Sequence, residues 1–251
     1  MKLSSEERAH LRASFHNMSI SNKVDYIFTY YKLPIILVLI TAFMLGYTVY
    51  GLVTKKEVLL YTAYINVSVS DSLNKDLSTG FIDFSGKNEQ KYEVYTNSAL
   101  YLSDNASTEN HQYAYASQMK IMGAIASKQL DVVFMNQEAY DILSKNGYLY
   151  DLNNLIKQDK LLYKYIQPYL TTNTVILEDN QIEYDLHNTD TYTAITEQIT
   201  NGLDVTQFPL FQQSGGFSGT VYLGVLAEGP RLSTSLDYIK YIVTYDEQFQ
   251  A

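Results

Sequence analysis

Residue types that commonly carry chemistry are sparse in this 251-residue chain. There is no Cys, which removes disulfides, thiolate metal sites, iron–sulfur clusters, cysteine nucleophiles and a lipidated-Cys anchor. His10 and His16 have no acidic partners at ligand spacing, and His111 and His187 stand near no nucleophile motif. Neither Gly-x-Ser-x-Gly nor His-Glu-x-x-His occurs. Glu178, Asp179, Asn180, Glu183, Asp185 and Asp190 gather oxygen ligands, but calcium needs six or more converging on one point, and their spacing is not that of an EF-hand loop. They read as a solvated acidic face. The expectation is a non-enzymatic protein without metal or cofactor.

Binding chemistry has more material. The segment Gln212–Gly219 (QQSGGFSG) is the Gly-rich loop of the chain. It lacks the Lys-Ser/Thr end of a nucleotide loop, so it reads as a turn, a hinge or a ligand-facing loop. There are 24 Tyr and no Trp. Tyr offers an apolar ring face with a hydroxyl handle. Tyr61, Tyr64, Tyr95, Tyr101, Tyr148, Tyr150 and Tyr222 fall near expected strand ends, where open α/β sheets form clefts. The candidate ligand-binding set is Tyr64, Tyr95, Tyr101, Asn136, Tyr150, Ser214 and Tyr222. Arg231 is the one Arg after the first 53 residues; it is expected at the start of the last helix, exposed rather than ligating. Acidic ligands, which favour a bidentate Arg, are thereby disfavoured.

These residues need elements to hold them, and the chain divides at an apolar run. Leu33 to Val53 is 21 residues without a charge. As a helix it covers about 31 Å, close to the ~30 Å hydrocarbon core. Lys32 bounds one end, and Lys55 and Lys56 the other; Tyr30, Tyr31, Tyr47 and Tyr50 are placed for the two interfacial belts. Pro34 sits in the first turn. The run starts too late and is too long for a cleaved signal peptide. Before it stand five basic and three acidic residues; from Leu33 onward there are 13 basic and 24 acidic ones. That asymmetry favours a cytoplasmic N-terminus and an extracellular remainder. The formal net charge of −9 argues against nucleic-acid binding.

Residues 1–32 read as a cytoplasmic tail. Ser4 and Glu7 have capping-box spacing. Val24, Ile27, Phe28 and Tyr31 recur at i, i+3, i+4 and i+7, an apolar stripe suited to the membrane surface or a partner helix.

Residues 54–251 read as a soluble α/β domain. Strands are expected at Val58–Val67, within Lys91–Leu102, at Leu130–Met135 and at Thr220–Ala227. Helices are expected from Ser70 to Gly80, Ser107 to Lys128, Asn136 to Lys145, Leu152 to Tyr169, Thr193 to Asn201 and Leu232 to Tyr245. Tyr115, Met119, Met122 and Ala126 read as the core face of the second of these. Thr174–Leu177 and Ile182–Leu186 flank Asp179-Asn180, a hairpin signal. The alternation calls for a parallel sheet with right-handed crossovers. Asn66-Val-Ser and Asn105-Ala-Ser match the glycosylation sequon.

Gln129-Leu130-Asp131-Val132-Val133-Phe134, a following helix, and Asn146-Gly147-Tyr148-Leu149-Tyr150-Asp151-Leu152 resemble the "G-x-x-D-V" strand and "G-x-x-x-D-L" turn of extracellular solute-binding proteins of the type 2 periplasmic-binding fold. Gly219–Val225 leading to Ser233–Val243 is similar to the late strand and helix of that family. Tyr26–Leu33 before a single span resembles membrane-anchored clostridial proteins carrying such a domain. The resemblance covers roughly residues 58–245. It implies a single transmembrane helix at 33–53 followed by an α/β periplasmic-binding-like domain at 54–251. The second lobe would be reduced, since only about 60 residues lie between Thr171 and Arg231. It further implies binding of an unknown small molecule, glycan or peptide. The bilayer, and an ABC-type permease or another envelope protein, would be its partners. The competing expectation is a structural or regulatory envelope protein that keeps the fold without small-molecule binding.

Overall fold

The computed structural model describes residues 18–104, 111–178, 194–213 and 219–245. The chain forms two compact units, residues 1–55 and 56–251. The first contains α1 (Ile20–Tyr30) and α2 (Lys32–Thr54). The Ser19 side chain accepts from Asn22 N–H and starts α1. Its end follows from Pro34, which has no N–H for the carbonyl four residues back, at Tyr30, and whose ring crowds that carbonyl. The ladder therefore breaks at Tyr31 and resumes with Ile35 N–H on Tyr31 O at 2.9 Å. α2 is long and apolar enough to cross a membrane over Lys32–Leu52. Thr41 and Thr48 bond back to the carbonyls of Leu37 and Met44, so their hydroxyls have partners within the helix.

The second unit is a mixed α/β layer structure. Its order is β1 (Glu57–Ile65), α3 (Asp71–Lys75), a π-helical turn (Asp76–Gly80), α4 (Phe81–Phe84), β2 (Tyr92–Leu100), α5 (His111–Ala126), β3 (Val132–Met135), α6 (Gln137–Lys145), α7 (Leu152–Ile156), α8 (Lys160–Ile166), β4 (Leu170–Glu178), β5 (Ile195–Asp204), α9 (Pro209–Gln213), β6 (Tyr222–Val225) and α10 (Leu232–Thr244). The six strands form one sheet in the order β2-β1-β3-β6-β5-β4. β2, β1 and β3 are parallel, as their strand–helix–strand sequence requires. β6 enters antiparallel beside β3, and β5 and β4 continue antiparallel. The sheet is mixed, where the sequence suggested a parallel one.

β3 lies inside the sheet and is buried on both faces. Val132 and Phe134 point to one layer, with Leu60, Tyr64, Phe81, Phe211, Tyr238 and Ile242. Val133 and Met135 point to the other, with Ala63, Ile65, Ile121, Ala139 and Leu143. The π turn fits the first layer because Tyr238 and Tyr241 donate their hydroxyls to the Leu77 and Asp76 carbonyls, at 3.0 and 2.7 Å.

Four elements depart from the sequence reading. Leu152–Tyr169, expected as one helix, is broken into α7, α8 and a 3-10 turn at Gln167–Tyr169. Thr193–Asn201 reads as a helix in the sequence; residues 195–204 instead form β5. In Ile-Thr-Glu-Gln-Ile-Thr the β-branched residues suit a pleated edge, and β4 supplies the ladder. Thr174–Leu177 is a strand as expected, but its antiparallel partner is β5; residues 179–193, including Ile182–Leu186, lie outside the described residues. In α5 the buried positions are Ser117 and Ile121, whereas Tyr115 and Met119 are 66% and 55% exposed, so they are surface rather than core. Ser107, like the tail residues Ser4 and Glu7, falls outside the described residues.

Candidate functional site

In open α/β sheets a ligand crevice forms at the carboxyl ends of parallel strands, where the strand order switches direction. Here that point lies at the end of β1, flanked by β2 on one side and β3 on the other. Two of the three strand ends turn through left-handed backbone at non-glycine residues. Asn66, just past β1, has φ +57°, and Ala99, near the end of β2, has φ +55°. Asn tolerates this conformation; Ala adopts it at a cost of order 1 kcal/mol or more. The Ala99 carbonyl accepts the Tyr113 hydroxyl from α5, which helps hold the turn.

The side chains at this edge are linked. Asn66 accepts Leu102 N–H at 2.9 Å and donates to Leu102 O at 2.6 Å, tying the end of β1 to the segment after β2. It also donates to Asn136 Oδ1 at 3.2 Å. That oxygen accepts Ala139 N–H at 3.0 Å and so caps α6. Ser103 donates to the Glu138 carboxylate in the first turn of α6. One turn on, Asp141 accepts from Gln137 and from Asn173 of β4, both at 2.7 Å. The edge thus gathers amides, a hydroxyl and carboxylates, bonded to one another within the protein. The Asn66 amide of the first sequon is engaged on Leu102 and Asn136; Asn105 lies outside the described residues.

The structure distributes the six described candidate residues widely. Asn136 stands at the carboxyl edge, though chiefly as the cap of α6. Tyr101, half-buried, follows β2 at the same edge. Tyr222 pairs with Met135, and its ring stacks on Tyr140 at 4.8 Å. Tyr64 does not belong to a site: it is buried against Phe134, and burial pushes its hydroxyl well above the ordinary range. Tyr95 lies mid-strand, edge-on to Tyr61 at 4.7 Å and 45% exposed. Tyr150 is at the opposite end of the sheet, where its N–H bonds Val225 O, across from Val132 at the start of β3. Ser214 lies outside the described residues. Asn66, Ala99, Ser103 and Glu138 were not anticipated. The sequence places Asn66 inside the expected strand Val58–Val67, and nothing in it marks Ala99 or the Ser103–Glu138 pair.

A buried polar network adjoins this edge. The Tyr140 hydroxyl donates to Asn201 Oδ1 at 2.9 Å, and Asn201 donates to Ser144 Oγ at 2.8 Å. Thr171 of β4 donates its hydroxyl to the Tyr140 oxygen at 3.2 Å, and the Thr174 carbonyl accepts the Ser144 hydroxyl. Burial pushes Tyr140 up to about 12, so it is a fixed hydrogen-bonding group at neutral pH. Arg231 begins α10 as expected, but its guanidinium reaches the buried Asp131 at 2.7 Å. Among the described residues no group of three or more His, Asp or Glu is placed to hold a metal ion. No protein family, curated protein or solved structure matches the chain.

Proposed function

We propose that the protein is a single-pass membrane protein whose C-terminal domain is extracytoplasmic and binds a neutral or cationic small molecule, glycan or peptide. In this reading α2 is the anchor, the N-terminus is cytoplasmic, and residues 54–251 are a solute-binding-like domain of the type 2 periplasmic-binding kind with a reduced second lobe. The observation that carries it is the carboxyl edge of β2-β1-β3. There two left-handed strand ends, the Asn66–Asn136 contact and the Ser103–Glu138 pair surround the switch point of the strand order. An ABC-type permease or another envelope protein would receive the solute.

The test is a thermal-shift panel of sugars, peptides and polyamines on the detergent-solubilised full chain. A stabilising solute whose effect is weakened in Glu138→Gln supports the reading. Absence of any stabilisation counts against it.

A second reading rests on α5. Tyr113, Tyr115 and Met119 are each half or more exposed. Tyr and Met are enriched at protein contacts, so this face favours an interaction protein of the envelope without a small ligand. Crosslinking in membranes separates the readings: a stoichiometric partner with no stabilising solute would favour the second.

A further inference from the structure

We infer that α1 is an interfacial helix that lays Ile20, Val24, Ile27, Phe28 and Tyr31 into the boundary between lipid headgroups and acyl chains. At about 100° per residue these five positions fall within an arc of roughly 100°, the width of a buried apolar stripe. Yet all are exposed, Ile20 at 82% and Phe28 at 62%. Asn22, Asp25 and Thr29 occupy the opposite side of the helix and are exposed too. A stripe of this kind needs an apolar medium on one side and water on the other.

The chain itself indicates the medium. Tyr31 alone separates α1 from α2, the helix able to cross a membrane. Eleven residues at 1.5 Å each keep all of α1 within about 17 Å of that junction. The headgroup zone beside the hydrocarbon core is several ångströms deep, so a helix turned at Tyr31 meets it along its length. Pro34 permits a turn there, because it removes one bond of the ladder and Tyr31 leaves the helical region, with φ −113° and ψ 14°. The apolar stripe thus runs without interruption into the apolar surface of α2, and the bilayer is the one partner that both share. The inference depends on α2 spanning the bilayer and is independent of whether the outer domain binds a solute.

The absence of Cys makes the test direct. Single Cys variants of the full chain at Val24, Ile27, Phe28, Asn22, Asp25 and Thr29 are spin-labelled in phosphatidylcholine vesicles containing phosphatidylglycerol. Collisions with oxygen, which partitions into lipid, are compared with those of a water-soluble nickel chelate. The expected result is oxygen dominance at 24, 27 and 28 and nickel dominance at 22, 25 and 29, a period of about 3.6 residues. Pro34→Ala should straighten the junction and shift Phe28 toward nickel. Equal nickel access at all six positions would overturn the inference, as would shielding of 24, 27 and 28 from both reagents, the mark of a protein partner. A Leu39→Cys label in α2 that is open to nickel would overturn it together with the span. Solute stabilisation of the outer domain is read separately and is unaffected by either result.

Discussion

Asp131 and Arg231, 100 residues apart in sequence, close the start of β3 against the start of α10 through a 2.7 Å ion pair. The Asp131 carboxylate is fully buried, while the Arg231 side chain remains 29% exposed. The same carboxylate accepts Tyr61 N–H of β1 at 2.8 Å and the Arg231 N–H at 3.2 Å. Three elements therefore converge on one acidic group. Burial raises its pKa, and the two N–H groups and the guanidinium offset only part of that rise. The one Arg of residues 56–251 is held in this ion pair.

Removing the cation should expose the cost of that burial. Arg231→Met leaves a buried carboxylate with two N–H partners and no counter-charge. The expected loss is about 3 kcal/mol, as for breaking a buried pair. Asp131→Asn should cost less, because an amide oxygen can still accept Tyr61 N–H. In the double variant the two losses should fall short of additive. Urea denaturation of all four proteins checks this.

The second expectation concerns pH. Asp159 caps α8 by accepting Leu162 N–H at 3.1 Å, with Lys240 Nζ at 3.4 Å. The Leu162 N–H, and secondarily Lys240, hold its carboxyl below the usual Asp range. Its stabilisation is thus present above the ordinary Asp value and is lost as pH falls through the lowered one. Asp159→Asn keeps the cap acceptor without the titrating charge. Wild type should be slightly more stable at pH 7, by less than about 1 kcal/mol for so exposed a pair. Urea midpoints from pH 7 to pH 3 should show that advantage vanish.

What the sequence made legible follows from how local the determining physics is. The apolar run of α2, the continuous apolar β3 and the caps Ser70 and Asn136 are signals within a few residues, and each marks its element. β5 differs from the expected helix because Ile195 and Ile199 fit a helical and an extended period equally, and the ladder with β4 decides. The direction of β6 depends on a partner about 90 residues away and leaves no local trace. The site was legible as a place, the ends of the parallel strands, more than as residues. Tyr64 and Tyr95 were chosen for their chemistry, whereas what assembles the edge is backbone: left-handed turns at Asn66 and Ala99 and the cap of α6.

Gly202 offers a third test. A Cβ there would lie 2.6 Å from the Tyr140 ring and closer still to Thr171 Oγ1. Gly202→Ala must displace both and disturb the Tyr140–Asn201–Ser144 network. Overpacking costs about 1–3 kcal/mol, and a melting temperature lower by roughly 3–10 °C is expected for a unit of this size. Gly219, which has open space at its Cβ position, is the control: Gly219→Ala should leave the melting temperature unchanged.

The last expectation is alkaline behaviour. Burial pushes Tyr140 up to about 12, and Tyr64, Tyr238 and Tyr241 higher still. In the unfolded chain all four titrate near 10. Their folded values are raised, so their contribution to stability is complete below pH 10 and declines as pH rises above it. Tyr238 and Tyr241 add a structural reason, since ionisation would withdraw the hydroxyl protons that they donate to Leu77 O and Asp76 O. Ultraviolet titration should show these four tyrosines ionising in a late, cooperative second step. That step should coincide with loss of circular dichroism from the sheet. Tyr241→Phe removes one such hydroxyl and leaves the Asp76 carbonyl without its partner. It should lower stability at pH 7 by about 1–2 kcal/mol and reduce the amplitude of the second step by one tyrosine.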